Sequence, residues 1–130
     1  MHTLTGLPNR RQFAERLAEA LGRSRRTQGS LALMFLDVDH FKAINDSFGH
    51  AAGDEVLREV ARRLKATVRS TDTVARLGGD EFVTLLGGVA DASELGRLAD
   101  KVVTCMHAPF EVFGTALDVT TSVGVARCED

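Results

Sequence analysis

Arg76-Leu77-Gly78-Gly79-Asp80-Glu81-Phe82 sets two glycines and two carboxylates between the apolar runs 73–75 and 82–86. The pattern predicts a β-hairpin with Gly78-Gly79 at its tip. Adjacent glycines accept positive φ and carry no Cβ, so an anion such as a phosphate chain can lie close against the turn. Strand side chains alternate, so at least one of Asp80 and Glu81 must point toward whatever occupies that space. A carboxylate beside a phosphate is repulsive unless a cation lies between them. Mg²⁺, a hard ion that joins carboxylates to substrate phosphates, meets that need, whereas a solvated acidic turn would do no chemistry.

A second acidic element decides between these readings. The apolar run from Leu31 to Leu36 predicts a buried strand, and it ends on Asp37-Val38-Asp39, with both carboxylates on one face by the period of two. Asp39 is placed to cap a short helix beginning at His40. Asp37 has no such structural task, so Asp37 and Asp80, from two strand ends, are expected to hold a metal between them. The free amides at the helix start, beside Lys42, form an expected anion site.

The elements that position these groups follow from periodicity. Phe13, Leu17 and Leu21 recur at four-residue spacing and predict a first helix, with Pro8 in its first turn and an end near Gly22. The run Arg23-Ser24-Arg25-Arg26 then suits a helix C-terminus. A short helix from His40 to Asn45, a break at Gly49 and a long helix from about Gly53 to Val68 come next. In the long helix Val56, Leu57, Val60, Ala61 and Leu64 face inward, and Arg58, Glu59, Arg62, Arg63 and Lys65 face outward. A helix capped by Asp91 or Ser93 presents Leu95, Leu98, Val102, Val103 and Met106, and His107 lies at its end. A closing strand pair over 110–113 and 116–125 turns at Gly114-Thr115.

The chain resembles the GGDEF family of diguanylate cyclases over nearly its whole length. Thr5-Gly6-Leu7-Pro8-Asn9-Arg10 is similar to the family's opening motif. Asp37 through Gly53-Asp54 is similar to its Asp-x-Asp-x-Phe-Lys-x-x-Asn-Asp-x-x-Gly-His-x-x-Gly-Asp block. Arg76 to Phe82 resembles the signature turn, and Thr121-Ser122-Val123-Gly124-Val125-Ala126 the late Ser-x-Gly-x-Ala strand. The element order and the resemblance imply an α+β fold with a central, mainly antiparallel sheet flanked by helices. This is the ferredoxin-like βαββαβ type shared with polymerase-palm and nucleotidyl-cyclase domains.

The resemblance implies condensation of two GTP into cyclic di-GMP and two pyrophosphates, a bacterial second-messenger reaction. It implies Mg²⁺, with Mn²⁺ as an alternative, on Asp37, Asp80 and the Val38 carbonyl, and catalytic roles for Asp80 and Glu81. Lys42 and the amides of His40 and Phe41 would hold phosphates beside Gly78 and Gly79. Asn45, His50 and Asp54 would form the guanosine site. A carboxylate can accept from the N1–H and N2–H of guanine, whereas adenine would leave Asp54 facing a lone pair. Arg69 and Asp72 match the family's Arg-x-x-Asp inhibitory site for product; the alternative is an exposed loop ion pair.

One domain binds one GTP, so a homodimer is expected for catalysis. A non-catalytic domain that binds GTP or cyclic di-GMP is the alternative, and an adenylate-using cyclase or palm is disfavoured by Asn45 and Asp54. The family usually has an acid where His2 stands, and it continues past Asp130 with a last strand and helix whose lysine and arginine reach the triphosphate. The expectation is therefore a single domain over residues 1–130 from a larger regulatory protein with sensor or phosphodiesterase domains.

Composition agrees with one globular domain: 130 residues, 44% hydrophobic and 26% charged. A net charge of -2 disfavours a nucleic-acid partner. No apolar run approaches the roughly twenty residues that span a bilayer, and no secretory signal opens the chain, so no membrane contact is expected from this segment. Cys105 and Cys128 lack metal-site spacing and are expected as reduced thiols in a cytoplasmic domain, or in the cytoplasmic part of a membrane-anchored protein.

Overall fold

The computed structural model describes residues 4–27, 30–88 and 91–128, with side chains throughout except at 24–27. His2, Asp130 and the side chains of Ser24, Arg25 and Arg26 lie outside the described residues. In chain order the elements are α1 (Arg10–Thr27), β1 (Leu31–Val38), α2 (Phe41–Phe48), α3 (His50–Thr67), β2 (Thr73–Gly78), β3 (Glu81–Gly87), α4 (Ala92–Met106), β4 (Phe110–Val112), β5 (Thr115–Leu117) and β6 (Thr121–Cys128).

Helix α1 begins on a reciprocal cap rather than on Pro8. The Gln12 N–H donates to Asn9 Oδ1 (2.9 Å) and the Asn9 N–H donates to Gln12 Oε1 (3.0 Å). The helix passes the expected end at Gly22 and runs to Thr27. A single glycine costs a helix only about 1 kcal/mol, so Gly22 does not end it.

β1 lies inside a four-stranded sheet of order β2-β3-β1-β6, with every pairing antiparallel. Its even residues Ala32, Met34, Leu36 and Val38 are buried in the main core. Val56, Leu57, Val60, Ala61 and Leu64 of α3 and Leu95, Val102 and Met106 of α4 complete that core. On the opposite face α1 packs Phe13 and Ala20 with Leu31, Ala75, Val83 and Leu85. That cover stops partway along the sheet, and on the same face Phe35, 43% exposed, and Asp37 remain open. The open half of this face carries the acids.

Several boundaries differ from the sequence reading. α2 runs three residues past Asn45, and α3 starts at His50, so Gly53 and Asp54 sit one turn inside the helix rather than at its beginning. The hairpin pairs Gly78 with Glu81, which moves its tip to Gly79-Asp80, and the register shifts between Arg76 and Gly78. The expected strand over 116–125 is two strands: β5 closes a small hairpin with β4, while β6 joins the main sheet. Positive φ at Phe113 (49°) and Gly114 (82°) makes the tight turn between β4 and β5.

Arg63, expected on the outer face of α3, is only 8% exposed. Its guanidinium donates to the carbonyls of Cys105 (3.2 Å), Ala108 (2.8 Å) and Pro109 (2.9 Å), and its Nε to Glu59 Oε2 (2.7 Å). It also lies 3.9 Å from the Phe110 ring centroid. Helix C-termini leave carbonyls without intrahelical donors, and Arg63 supplies donors at the end of α4 from a neighbouring helix. Cys105 and Cys128 form no disulfide.

Candidate active site at the β1 and β3 strand ends

The glycine turn is held from two sides. The Arg76 N–H donates to the Pro8 carbonyl (3.1 Å), which ties the hairpin to the opening motif. The Arg76 side chain donates to the Gly79 carbonyl from Nε (3.0 Å) and Nη2 (2.7 Å). Gly78 (φ 148°) and Gly79 (φ 50°) take conformations that side chains disfavour, and a Cβ at either would meet nothing within 4 Å. Backbone conformation therefore calls for these glycines, and the space above them is open.

The ladder register brings the acids together. Asp37 stands directly opposite Glu81, and the Val38 N–H donates to the Asp80 carbonyl (3.3 Å). Burial first, then the charges of Asp80, Glu81 and Asp39, push the Asp37 carboxyl above its ordinary value. Among the described residues no arginine or lysine forms an ion pair with Asp37, Asp80 or Glu81. The corner thus concentrates uncompensated negative charge on hard oxygen donors.

No three acid, histidine or cysteine side chains converge into a ready-made ligand shell among the described residues. Two carboxylates beside a backbone carbonyl nevertheless fit Mg²⁺, which keeps waters and takes substrate phosphates as its remaining ligands. Asp37, Asp80 and the Val38 carbonyl are the groups here that would hold it.

Asp39 does not cap the short helix. Its carboxylate accepts from Thr120 Oγ1 (3.0 Å) and Ser122 Oγ (2.6 Å), and its N–H donates to the Thr120 carbonyl (2.9 Å). The N-cap is His40, in the left-handed region (φ 57°, ψ 32°) and without a side-chain cap. The Ile44 N–H donates to the His40 carbonyl (3.1 Å), which leaves the first amides of α2, those of Phe41 and Lys42, without intrahelical acceptors. Lys42 is exposed beside them. Thr120 and Ser122 were not singled out from sequence as partners of Asp39; Ser122 appeared only within the late-strand motif.

At the α2–α3 junction Asn45 and Asp54 are half-buried and His50 is exposed. The Asn45 side chain lies against the backbone of Gly53, so that a Cβ there would stand 1.8 Å from Asn45 Oδ1. Asn45 thereby packs against the residue that precedes Asp54. His50 precedes Asp54 by four residues, on the same helix face.

Arg69 and Asp72 are joined in an ion pair. The Arg69 backbone N–H and Nε donate to Asp72 Oδ2 (3.0 and 3.2 Å), and Nη2 donates to Oδ1 (3.1 Å) and to the Gly87 carbonyl. The Asp72 side chain is 1% exposed and that of Arg69 50%, so this is an anchored arginine with one open side. A 160 Å³ cleft with Arg16 and Lys65 and a 270 Å³ cleft with Arg97 and Lys101 flank the pair.

An antiparallel βαββαβ sheet whose central strand and hairpin gather carboxylates beside a glycine turn defines a domain with the nucleotidyl-cyclase, palm-like fold. Within that class the chain belongs to the GGDEF family: the family model described as "Diguanylate cyclase, GGDEF domain" matches residues 1–130. Diguanylate cyclase TpbB of Pseudomonas aeruginosa is 43% identical over 125 residues, which are 95% of this chain and 29% of that protein. The solved GGDEF domain of TpbB superposes with a TM-score of 0.93 at 42% identity, covering 97% of this chain and 74% of that one. The GGDEF domain of DgcB from Caulobacter crescentus, solved in complex with c-di-GMP, gives 0.91 at 28% identity, covering 99% and 77%. The chain therefore spans less than a third of the length of TpbB.

Proposed function

We propose that this domain condenses two GTP into cyclic di-GMP and two pyrophosphates, in a Mg²⁺-dependent reaction between two copies facing each other. The observation that carries the reading is the acidic corner, where Asp37 faces Glu81 across the ladder with Asp80 in the turn and, among the described residues, no lysine or arginine in an ion pair with them. Stability alone gives no reason for such a cluster, and neither does a domain that only binds nucleotide.

The bound Mg²⁺ would lower the cost of deprotonating the attacking 3′-hydroxyl and neutralise charge building on the leaving pyrophosphate. Asp37 and Asp80 would hold that ion together with the Val38 carbonyl, and Asp80 and Glu81 beside it are the candidates to accept the hydroxyl proton. The backbone amides of His40, the N-cap of α2, and Phe41, with Lys42, hold the distal phosphates, while bare backbone at Gly78 and Gly79 lets the phosphate chain approach. Asn45 and Asp54 read the guanine edge, and His50 lines the nucleoside side of the site.

Each domain holds one GTP, so the 3′-hydroxyl of one must reach the α-phosphate on a second copy. Arg69 and Asp72 form the inhibitory site for cyclic di-GMP. GTP supply assigns the domain to the cytoplasm, and among the described residues no helix is long and apolar enough to cross a membrane. The deciding experiment incubates the full-length protein with Mg²⁺ and GTP or ATP and identifies product by mass. Cyclic di-GMP from GTP alone, with a rate per domain that rises with protein concentration and vanishes in Asp80→Asn, is expected. No product, or equal use of ATP, would overturn the reading.

A further inference from the structure

We propose that Gly53 is a positioning residue for base selection, because it alone makes room for the Asn45 amide beside Asp54; this rests on the guanine-reading role given above to Asn45 and Asp54. Gly53 is buried within α3 and is not among the positive-φ residues, so the backbone does not call for glycine there. A glycine inside a helix costs about 1 kcal/mol relative to alanine. The offset lies in the space above its Cα. A Cβ would stand 1.8 Å from Asn45 Oδ1, 2.9 Å from Asn45 Cγ and 3.3 Å from Phe41 Cζ. At Gly49, Gly78 and Gly79, by contrast, a Cβ would meet nothing within 4 Å, and positive φ is the reason for glycine.

The Asn45 backbone is held by hydrogen bonds, whereas its side chain makes none among the described residues. Its carbonyl accepts from the Gly49 N–H (2.8 Å), and the Gly49 carbonyl accepts from the Gly53 N–H (3.2 Å). An added methyl at position 53 would therefore rotate the Asn45 amide away rather than part the helices. The displaced group is the one that donates and accepts at the base, so the effect falls on nucleotide choice and leaves the acidic corner untouched.

The test is a double-mutant cycle in the full-length protein with Asn45→Ala, Gly53→Ala and both, reading Kd for GTP and ATP together with melting temperature. Gly53→Ala is expected to weaken GTP binding by about 10-fold, the order of one lost base contact, and to narrow the preference over ATP. In the Asn45→Ala background it should add no more than about 2-fold and should not lower the melting temperature, since alanine favours the helix once Oδ1 is gone. Full additivity, or Gly53→Ala binding that matches the parent while Asn45→Ala is defective, overturns the role of Gly53 alone. An Asn45→Ala protein with unchanged GTP affinity and base preference removes the guanine-reading role and this inference with it.

Discussion

Replacing Arg63 by alanine should cost far more than an outward-facing helix arginine could. Three carbonyl acceptors, those of Cys105, Ala108 and Pro109, lose their donor, at about 1 kcal/mol each. The contact with the Phe110 ring, desolvated at 8% exposure, adds about 1 kcal/mol. The ion pair with Glu59 adds little, because Arg62 Nε also donates to that carboxylate at 2.7 Å. The expected loss is about 4 kcal/mol. With an unfolding entropy near 2.1 cal/mol/K per residue, 130 residues convert this to a fall in Tm of about 15 °C.

Calorimetry and urea denaturation of the parent and variant give the two figures independently. Arg63→Lys keeps the charge but lacks the planar fork that reaches several acceptors at once, so it should recover less than half of the loss. A loss under about 1 kcal/mol for Arg63→Ala would refute the clamp and return Arg63 to the surface role that its helical position suggested.

Three further outcomes follow from the electrostatics. The Glu59 carboxyl is lowered from 4.5 to about 2, first by its hydrogen bond to Arg62 and then, against some burial, by Arg63. Its stabilisation is thus present above pH 4.5 and lost as pH falls toward 2; screening at a side chain 25% exposed leaves about 1–2 kcal/mol. Urea midpoints at pH 7 and pH 3 should show Glu59→Gln less stable than the parent at pH 7, with the gap cut to roughly half at pH 3 because the folded-state value near 2 has not yet been crossed. Asp37→Asn should raise Tm in EDTA by relieving like-charge repulsion, and should abolish the rise that Mg²⁺ gives the parent; an undiminished Mg²⁺ response would remove Asp37 from the metal site. Arg69→Ala should relieve inhibition by cyclic di-GMP while GTP turnover is retained, and unchanged inhibition would leave the Asp72 pair merely structural.

Legibility in the sequence tracked the distance over which each feature is encoded. β1 was readable from its own apolar run, and its two terminal acids from the period of two, because both signals are local. The hairpin was readable from its glycines, although the tip fell one residue later once Gly78 paired with Glu81. Arg63 was not readable, because its acceptors lie 42 to 46 residues further on and a helical wheel places it with the outward charges. Asp39 looked like a cap for the same reason. The hydroxyls that hold it, on Thr120 and Ser122, are 81 and 83 residues away and arrive only when β6 joins the sheet. Gly53 read as a helix start, since nothing in a single sequence says that an asparagine eight residues earlier fills the place of its side chain.

The sheet also indicates how a cluster of acids survives in a folded domain. The core that stabilises β1 lies on its even residues, against α3 and α4, while Asp37 shares the odd face with Phe35, beyond the reach of α1. Repulsion among Asp37, Asp80, Glu81 and Asp39 is therefore felt near solvent, where a high effective dielectric holds it to a small fraction of its interior value. On the proposed function, the same exposure would give a metal and a triphosphate direct access from the side of the glycine turn. A second copy covering that face would, on the same function, expel water and strengthen every charge interaction there. An open face that tolerates its acids when empty, and would gain field strength when closed by a partner, would on that function couple chemistry to encounter.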